Sequence, residues 1–164
     1  MADYGIRPLR KEDNVAVAAL IRKVMPEFGC GGVGFASQDA EVDDMHASYL
    51  QPRSAYFVIT NLQTSEKILG GGGIAPLAEG DGLTCELRKM YFYPELRGQG
   101  MGQKLMDRCL ETAHREGFRF CYLETMHAMV QARALYVRNG FEPLTGPRGA
   151  TGHFGCDSWF LKSL

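Results

Sequence analysis

The sequence predicts an α/β (α+β) domain, and three observations carry that expectation. Dense β-branched and aromatic runs, AYFVITN at 55–61 foremost, read as buried strands and dominate the first half. Two strand–helix pairs follow, each helix marked by apolar residues at three-to-four spacing. No linker, repeat or low-complexity tract divides the 164 residues, so 1–164 is expected to form one domain.

The elements follow in order. YGIRPLR opens with a short strand closed by Pro8. Glu12, Asp13 and Asn14 start a helix carrying Val17, Leu20, Ile21 and Val24, and Pro26 marks its end. EFGCGGVGF is a glycine-rich loop, and DAEVDDMHASYL reads as a second helix. AYFVITN turns through LQTSEK into ILGGGGIAPL, where Gly70 to Gly73 would weaken a strand and point to a bulge or a close approach. GLTCELRKMYFY is the third strong strand, ended by Pro94. MGQKLMDRCLETAHREG places Met101, Leu105, Met106, Cys109, Leu110 and Ala113 on one helical face, with Gly117 placed to cap it. The strand FRFCYLET, the helix HAMVQARALYVRNG stopped at Asn139–Gly140, and the aromatic strand in HFGCDSWFLKSL complete the chain.

Composition narrows the function classes. Hydrophobic residues at 45% and charged residues at 23% are ordinary for a globular protein. With 18 basic against 19 acidic side chains there is no electrostatic footprint for nucleic acid or an anionic membrane. The opening MADYGIRPLRKEDN lacks the basic-then-apolar layout of a secretion signal, and no apolar run approaches the roughly 18 residues of a membrane span. Five cysteines, scattered singly and without a C-x-x-C pair, read as free thiols of a reducing cytosol, so a cytoplasmic location is expected. His153 and Cys156 lie three apart, but a structural metal site needs about four ligands in recognisable pairs, and no metal is expected.

The chemistry is concentrated in RGQGMG, Arg97 to Gly102, between a strand and a helix. A helix begins with backbone N–H groups that lack internal partners, at the positive end of its dipole. A turn without side chains lets an anion reach those donors, and Arg97 adds a charge suited to phosphate. An ordinary turn with a capping arginine has the same outline. The Gly-Lys-Ser/Thr ending of a Walker loop is missing, and the spacing is not the G-x-G-x-x-G of a Rossmann turn.

MYFYPELRGQGMG resembles the defining motif of the Gcn5-related N-acetyltransferase (GNAT) family, a strand, a proline and then R-x-x-G-x-G opening a helix. A second segment agrees: Ala132, Leu135, Tyr136, Gly140 and Phe141 match the family's A-x-x-L-Y-x-x-x-G-F. One departure is Met129, where many members carry asparagine. The resemblance implies a mixed, mostly antiparallel sheet, splayed in the middle and flanked by helices. It implies acetyl-CoA as co-substrate, a small-molecule or peptide amine as acceptor, and a homodimer as one candidate assembly.

It also assigns residues. The turn of Arg97, Gly98, Gln99, Gly100, Met101 and Gly102 would hold the pyrophosphate, and Met90, Tyr91 and Phe92 the pantetheine arm, with Ala132 and Tyr136 beside it. Phe92 N–H would face the thioester oxygen, and Tyr136 would protonate the departing thiolate. Glu86 is the candidate base, with Glu124 second; a salt bridge from Glu86 to Arg88 is the bland alternative. Strict alternation puts Glu86 and Met90 on one strand face, roughly 13 Å apart. GPRGATGHFG would wall the acceptor pocket with Arg148 and His153, and FGCGGVGF would form a lid. Asp39, Glu41, Asp43 and Asp44 near that lid suit a cationic amine or simply a solvated helix turn. The rival functions are a non-catalytic acyl-CoA sensor on the same fold and a redox or metal-responsive protein using the free cysteines and His153.

Overall fold

The structure is a computed structural model that describes residues 2–64 and 67–164. Its sheet comprises β1 (Tyr4–Pro8), β2 (Ala55–Asn61), β3 (Ile68–Pro76), β4 (Thr84–Phe92), β5 (Phe120–Thr125), β6 (Glu142–Leu144) and β7 (Ser158–Ser163). The seven strands are ordered β1-β2-β3-β4-β5-β7-β6. Every neighbouring pair is antiparallel except β4 with β5. The LQTSEK turn contains Ser65 and Glu66, which lie outside the described residues.

Alternation along β2 shows how the sheet sorts its side chains. Tyr56 and Val58 join the core beneath α1 (Asn14–Val24) and α2 (Met45–Tyr49), while Phe57 and Ile59 join the core beneath α3 (Met101–Arg115). The apolar stripe of α3, with Leu105, Met106 and Cys109 fully buried, seats it on β2 and β3. Each such leucine or methionine contributes about 1.5–3 kcal/mol by leaving water. On the same side, α4 (Val130–Arg138) buries Leu135 and Tyr136.

The helix expected over 39–50 is shorter. Ala40–Asp44 forms a 3-10 turn, and α2 starts only at Met45. The Asp44 carboxylate accepts the Ala47 N–H at 3.1 Å, so it caps a new helix instead of continuing an old one.

Two features of β4 shape everything downstream. Its pairing with β5 covers only Thr84–Glu86 against Phe120–Tyr122, whereas β5 stays paired with β7 along its whole length. Beyond Glu86 the edge of β4 facing β5 is therefore open. Opposite Gly72, β4 also carries a bulge: Gly71 pairs with Tyr91 but Gly73 with Arg88, and Lys89 between them has φ 49°. A left-handed non-glycine residue costs about 1–3 kcal/mol and persists only when its surroundings hold it. Here Tyr56 Oη donates to Lys89 O at 2.7 Å, and the Lys89 ammonium is bound by Asp39 and Glu41.

The glycine run next to the bulge is explained by close approach. A Cβ at Gly71 would lie 2.8 Å from the Tyr56 ring, and one at Gly73 would lie 2.3 Å from Ala55 O. Tyr56 thus occupies the space that side chains on β3 would need, and it is the residue that braces the bulge.

Candidate active site

A cleft of about 580 Å3 opens where β4 and β5 part, floored by Met90, Tyr91 and Phe92 and walled by the RGQGMG turn and α4. Of the residues expected to hold the donor, all but Gln99 line it. Tyr93 donates its N–H to Leu69 O in β3 at 2.8 Å. Alternation then turns the N–H and C=O of Phe92 toward the open edge. Arg97 Nε and Nη2 reach that carbonyl at 3.1 and 2.9 Å.

At the mouth of the cleft, Gly98 and Gly100 adopt φ of 73° and 74°, a conformation that L side chains resist. They let the chain enter α3 so that its first intrahelical bond is Lys104 N–H to Gly100 O, at 3.4 Å. The N–H groups of Met101, Gly102 and Gln103 accordingly start the helix without intrahelical acceptors. Gly102 differs from its neighbours. It has no left-handed φ, and a Cβ there would meet nothing closer than Leu135 at 3.5 Å.

Behind the cleft, on the α1 side, lies a smaller cavity of about 40 Å3 that shares Met90, Tyr91, Met129 and Tyr136 with it. Cys30, Lys89, Glu124 and Cys156 complete much of its lining. Tyr136 stands at the junction, 6% exposed, its ring 5.9 Å from Phe141 and 6.1 Å from Phe160. Burial pushes its phenol well above the usual range, so it carries its proton at neutral pH. Burial likewise pushes the Cys156 thiol up to about 12. All five cysteines are free thiols.

Around this second cavity the charges are paired. Glu124 accepts from Tyr122 Oη at 2.7 Å and from Thr151 Oγ1 at 2.8 Å. His153 Nδ1 is 3.6 Å from Glu124 Oε2, and its Nε2 meets Asp39 at 2.8 Å. Arg88 Nε donates to Glu86 at 2.8 Å. The loops that carry Gly34 and Gly155 meet overhead, with Gly155 N–H donating to Gly34 O at 3.1 Å.

The model of the Acetyltransferase (GNAT) family matches residues 17–141. The chain belongs to this family. It is 40% identical over 160 residues to the uncharacterised N-acetyltransferase YjgM of Escherichia coli (strain K12), covering 97% of this chain and 94% of that one. In fold it is similar to a GNAT-family acetyltransferase from Staphylococcus aureus, with a TM-score of 0.80, 17% identity and coverage of 98% and 99% of the two chains. It is also similar to the Salmonella typhimurium protein yncA, a putative acetyltransferase whose structure contains its cofactor acetyl-CoA. That match has a TM-score of 0.74 at 19% identity and covers 98% and 93% of the chains.

In this GNAT acetyltransferase three expectations from the sequence change. Glu86 and Met90 do not share a strand face: the bulge at Lys89 inserts one residue, which sends Met90 to the α3 core with Cys85 and Leu87 and leaves Glu86 on the other side. Glu86 is buried against Arg88 and does not line the small cavity, whereas Glu124 does. Burial raises the Glu86 pKa, with Arg88 opposing. The fork of Arg97, expected to face phosphate, is engaged with Phe92 O and with Glu27 at 2.8 Å. The acids expected to attract a cationic amine are partly spent, since Asp39 and Glu41 bind Lys89.

Arg148 is an exposed loop residue whose backbone N–H donates to Tyr122 Oη at 3.0 Å, while His153 is largely buried. Lys89, Tyr122 and Thr151 went unnoticed in the sequence. The one available signal was Lys89 itself, which directly follows Arg88 and breaks the apolar–polar alternation of Cys85 to Arg88. Among the described residues, Glu86, Glu124 and His153 bring ligand-type atoms within 4.8 Å of one another. Each of them already has a protein partner. No described helix is long and apolar enough to cross a membrane.

Proposed function

We propose that residues 1–164 act as a single-domain, acetyl-CoA-dependent N-acetyltransferase whose acceptor, a primary amine, attacks the thioester directly while both substrates are bound. The observation that carries this is the cleft itself. It joins an open strand edge, the free N–H groups of a 15-residue helix and a buried tyrosine, all within one groove. Gly102 fits the same reading: neither its backbone nor its protein neighbours demand glycine, and a diphosphate lying against α3 does.

Acetyl-CoA, when bound, supplies the thioester that is attacked. The chain's own groups do the rest. The amides of Met101, Gly102 and Gln103 hold the diphosphate, and Phe92 N–H stabilises negative charge developing on the carbonyl oxygen. Arg97 braces Phe92 from its carbonyl side and so steadies that donor. Tyr136 gives its proton to the departing sulfur, a role its raised pKa suits. Glu124, in the small cavity beside Tyr136, takes the proton from the acceptor's ammonium.

The test is calorimetry with acetyl-CoA, followed by thiol release against a panel of alkylamines, amino acids, polyamines, aminoglycosides and peptides. Binding with amine-dependent release is expected. Absence of acetyl-CoA binding overturns the reading, and binding without release for any amine reduces the protein to an acyl-CoA sensor.

A further inference from the structure

Glu124 poses a problem that the acetyltransferase reading leaves open. Its side chain is only 3% exposed, so a proton taken from an acceptor has no direct route to water. Exposure rises along one line of contacts, from Glu124 through His153 at 11% to Asp39 at 26%. Those residues come from β5, the β6–β7 loop and the turn ahead of α2, segments far apart in sequence.

We propose that His153, oriented by Asp39, is a positioning and proton-relay residue that carries the acceptor's proton from Glu124 to solvent. This rests on the acetyltransferase reading above. The Asp39 side of the ring is hydrogen-bonded, and the 3.6 Å between Nδ1 and Glu124 Oε2 must close by a small side-chain movement, or be bridged by one water, for the proton to cross. Nε2 faces both Asp39 oxygens, at 3.0 and 2.8 Å, which selects the tautomer with hydrogen on Nε2 and leaves the Nδ1 lone pair toward Glu124 Oε2. The His153 backbone N–H donates to Thr151 Oγ1 at 3.2 Å, and the same hydroxyl donates to Glu124, which ties the relay to the carboxylate it serves.

The proton count closes at every step. The acceptor N–H bond breaks as Glu124 O–H forms. That O–H then breaks as His153 Nδ1–H forms, Nε2–H passes to Asp39, and Asp39 releases its proton to water. The ring is then neutral with its hydrogen on Nδ1, and the starting tautomer is restored when that proton leaves to solvent and Nε2 takes one up.

The groups facing the ring are Asp39, Glu124, Glu86 and Lys89, with Glu41 and Arg88 one contact further out. Burial alone would lower the His153 pKa, but the hydrogen bond and charge of Asp39, with Glu86, outweigh burial and raise it. The relay needs Nδ1 unprotonated, so kcat should rise as pH passes that raised value. Removing the Asp39 charge destabilises the imidazolium and should move the rise to lower pH.

The experiment uses the full chain at saturating acetyl-CoA, with the fastest amine of the panel, or with water where no amine exceeds it. Thiol release is followed from about pH 5.5 to 9. Nitrogen-15 NMR of the histidines gives the His153 protonation midpoint independently of turnover. Wild type should show an acid limb in kcat that coincides with this midpoint, and Asp39→Asn should shift both downward together. His153→Gln should lose the limb and about 10- to 100-fold in kcat, with acetyl-CoA affinity and melting temperature near wild type. Should both variants fold and lose activity with the limb unmoved, or should the limb fail to track the NMR midpoint, the relay is overturned and His153 is a loop buttress. A wild type that does not bind acetyl-CoA fails earlier and overturns the acetyltransferase reading instead.

Discussion

The two sides of the opening between β4 and β5 are built from different materials. On the α3 side the polar groups that the cleft presents are backbone: the open edge of Phe92 and the first N–H groups of α3, shaped by Gly98 and Gly100. On the α1 side they are side chains, with Asp39, Glu86, Lys89, Glu124 and His153 drawn together from four segments of the chain. A backbone site tolerates change in every residue except those that set its shape. A side-chain site depends on each member and on the partners that hold its charge. Tyr136 stands between the two and lines both cavities.

The largest expected effect comes from breaking that junction. Tyr136→Phe keeps the packing against Phe141 and Phe160 but removes the proton. kcat should fall by about 10²–10⁴-fold in a thiol-release assay, while acetyl-CoA affinity by calorimetry is unchanged. If both sides of the opening act as assigned, no other conservative change should separate turnover from binding so cleanly.

Next, Glu124→Gln and Glu86→Gln divide the side-chain region into chemistry and support. Glu124→Gln should lower kcat by about 100-fold with little change in melting temperature. Glu86→Gln should do the reverse. It removes the nearer of the two carboxylates paired with the partly buried Arg88 and should cost about 1–3 kcal/mol of stability by denaturant unfolding, with kcat within a few-fold of wild type. Equal kinetic losses in the two variants would return the base to Glu86.

On the backbone side, Gly102→Ala and Gly100→Ala make a matched pair. Gly102 has room for a methyl group in the protein alone, so its variant should melt normally yet bind acetyl-CoA about 10-fold more weakly. Gly100 has φ 74°, so its variant should lose about 1–2 kcal/mol of stability whatever its affinity. Unchanged acetyl-CoA affinity in Gly102→Ala would remove the diphosphate from the face of α3.

The smallest effect concerns pH. The raised His153 pKa means that its pairing stabilises the fold fully below the ordinary histidine value and is lost as pH rises through the raised one. The melting-temperature advantage of wild type over His153→Gln should accordingly be greatest on the acid side of neutrality and shrink toward about pH 9. Asp39 behaves oppositely. Burial would raise its pKa, but His153 and Lys89 hold it below the usual carboxylate value, so its contribution disappears only as pH falls below about 3.8.

Legibility in the sequence follows the same division. All the strands but the three-residue β6, together with α3, α4 and the RGQGMG turn, were readable because each is written in consecutive residues: β-branched runs, three-to-four apolar spacing, and glycines between a strand and a helix. Tyr136 was readable because its segment lies on one helix. The expectation for Glu86 failed because it relied on strict alternation, and a single inserted residue at Lys89 reverses the facing of everything beyond it. That bulge is held by Tyr56, on a strand two places along the sheet from β4, and by acids in a loop about fifty residues earlier in the chain.

By itself, then, the sequence determined the order of the longer elements, the glycine geometry that opens the cleft and the family that such a cleft belongs to. These depend on local backbone preference and on periodic burial, which a linear string encodes directly. Only the tertiary structure decided which carboxylate lines the small cavity, what Arg97 holds and why His153 lies next to Glu124. Those outcomes depend on strand register and on which charges meet when distant segments pack, and no single stretch of residues carries that information.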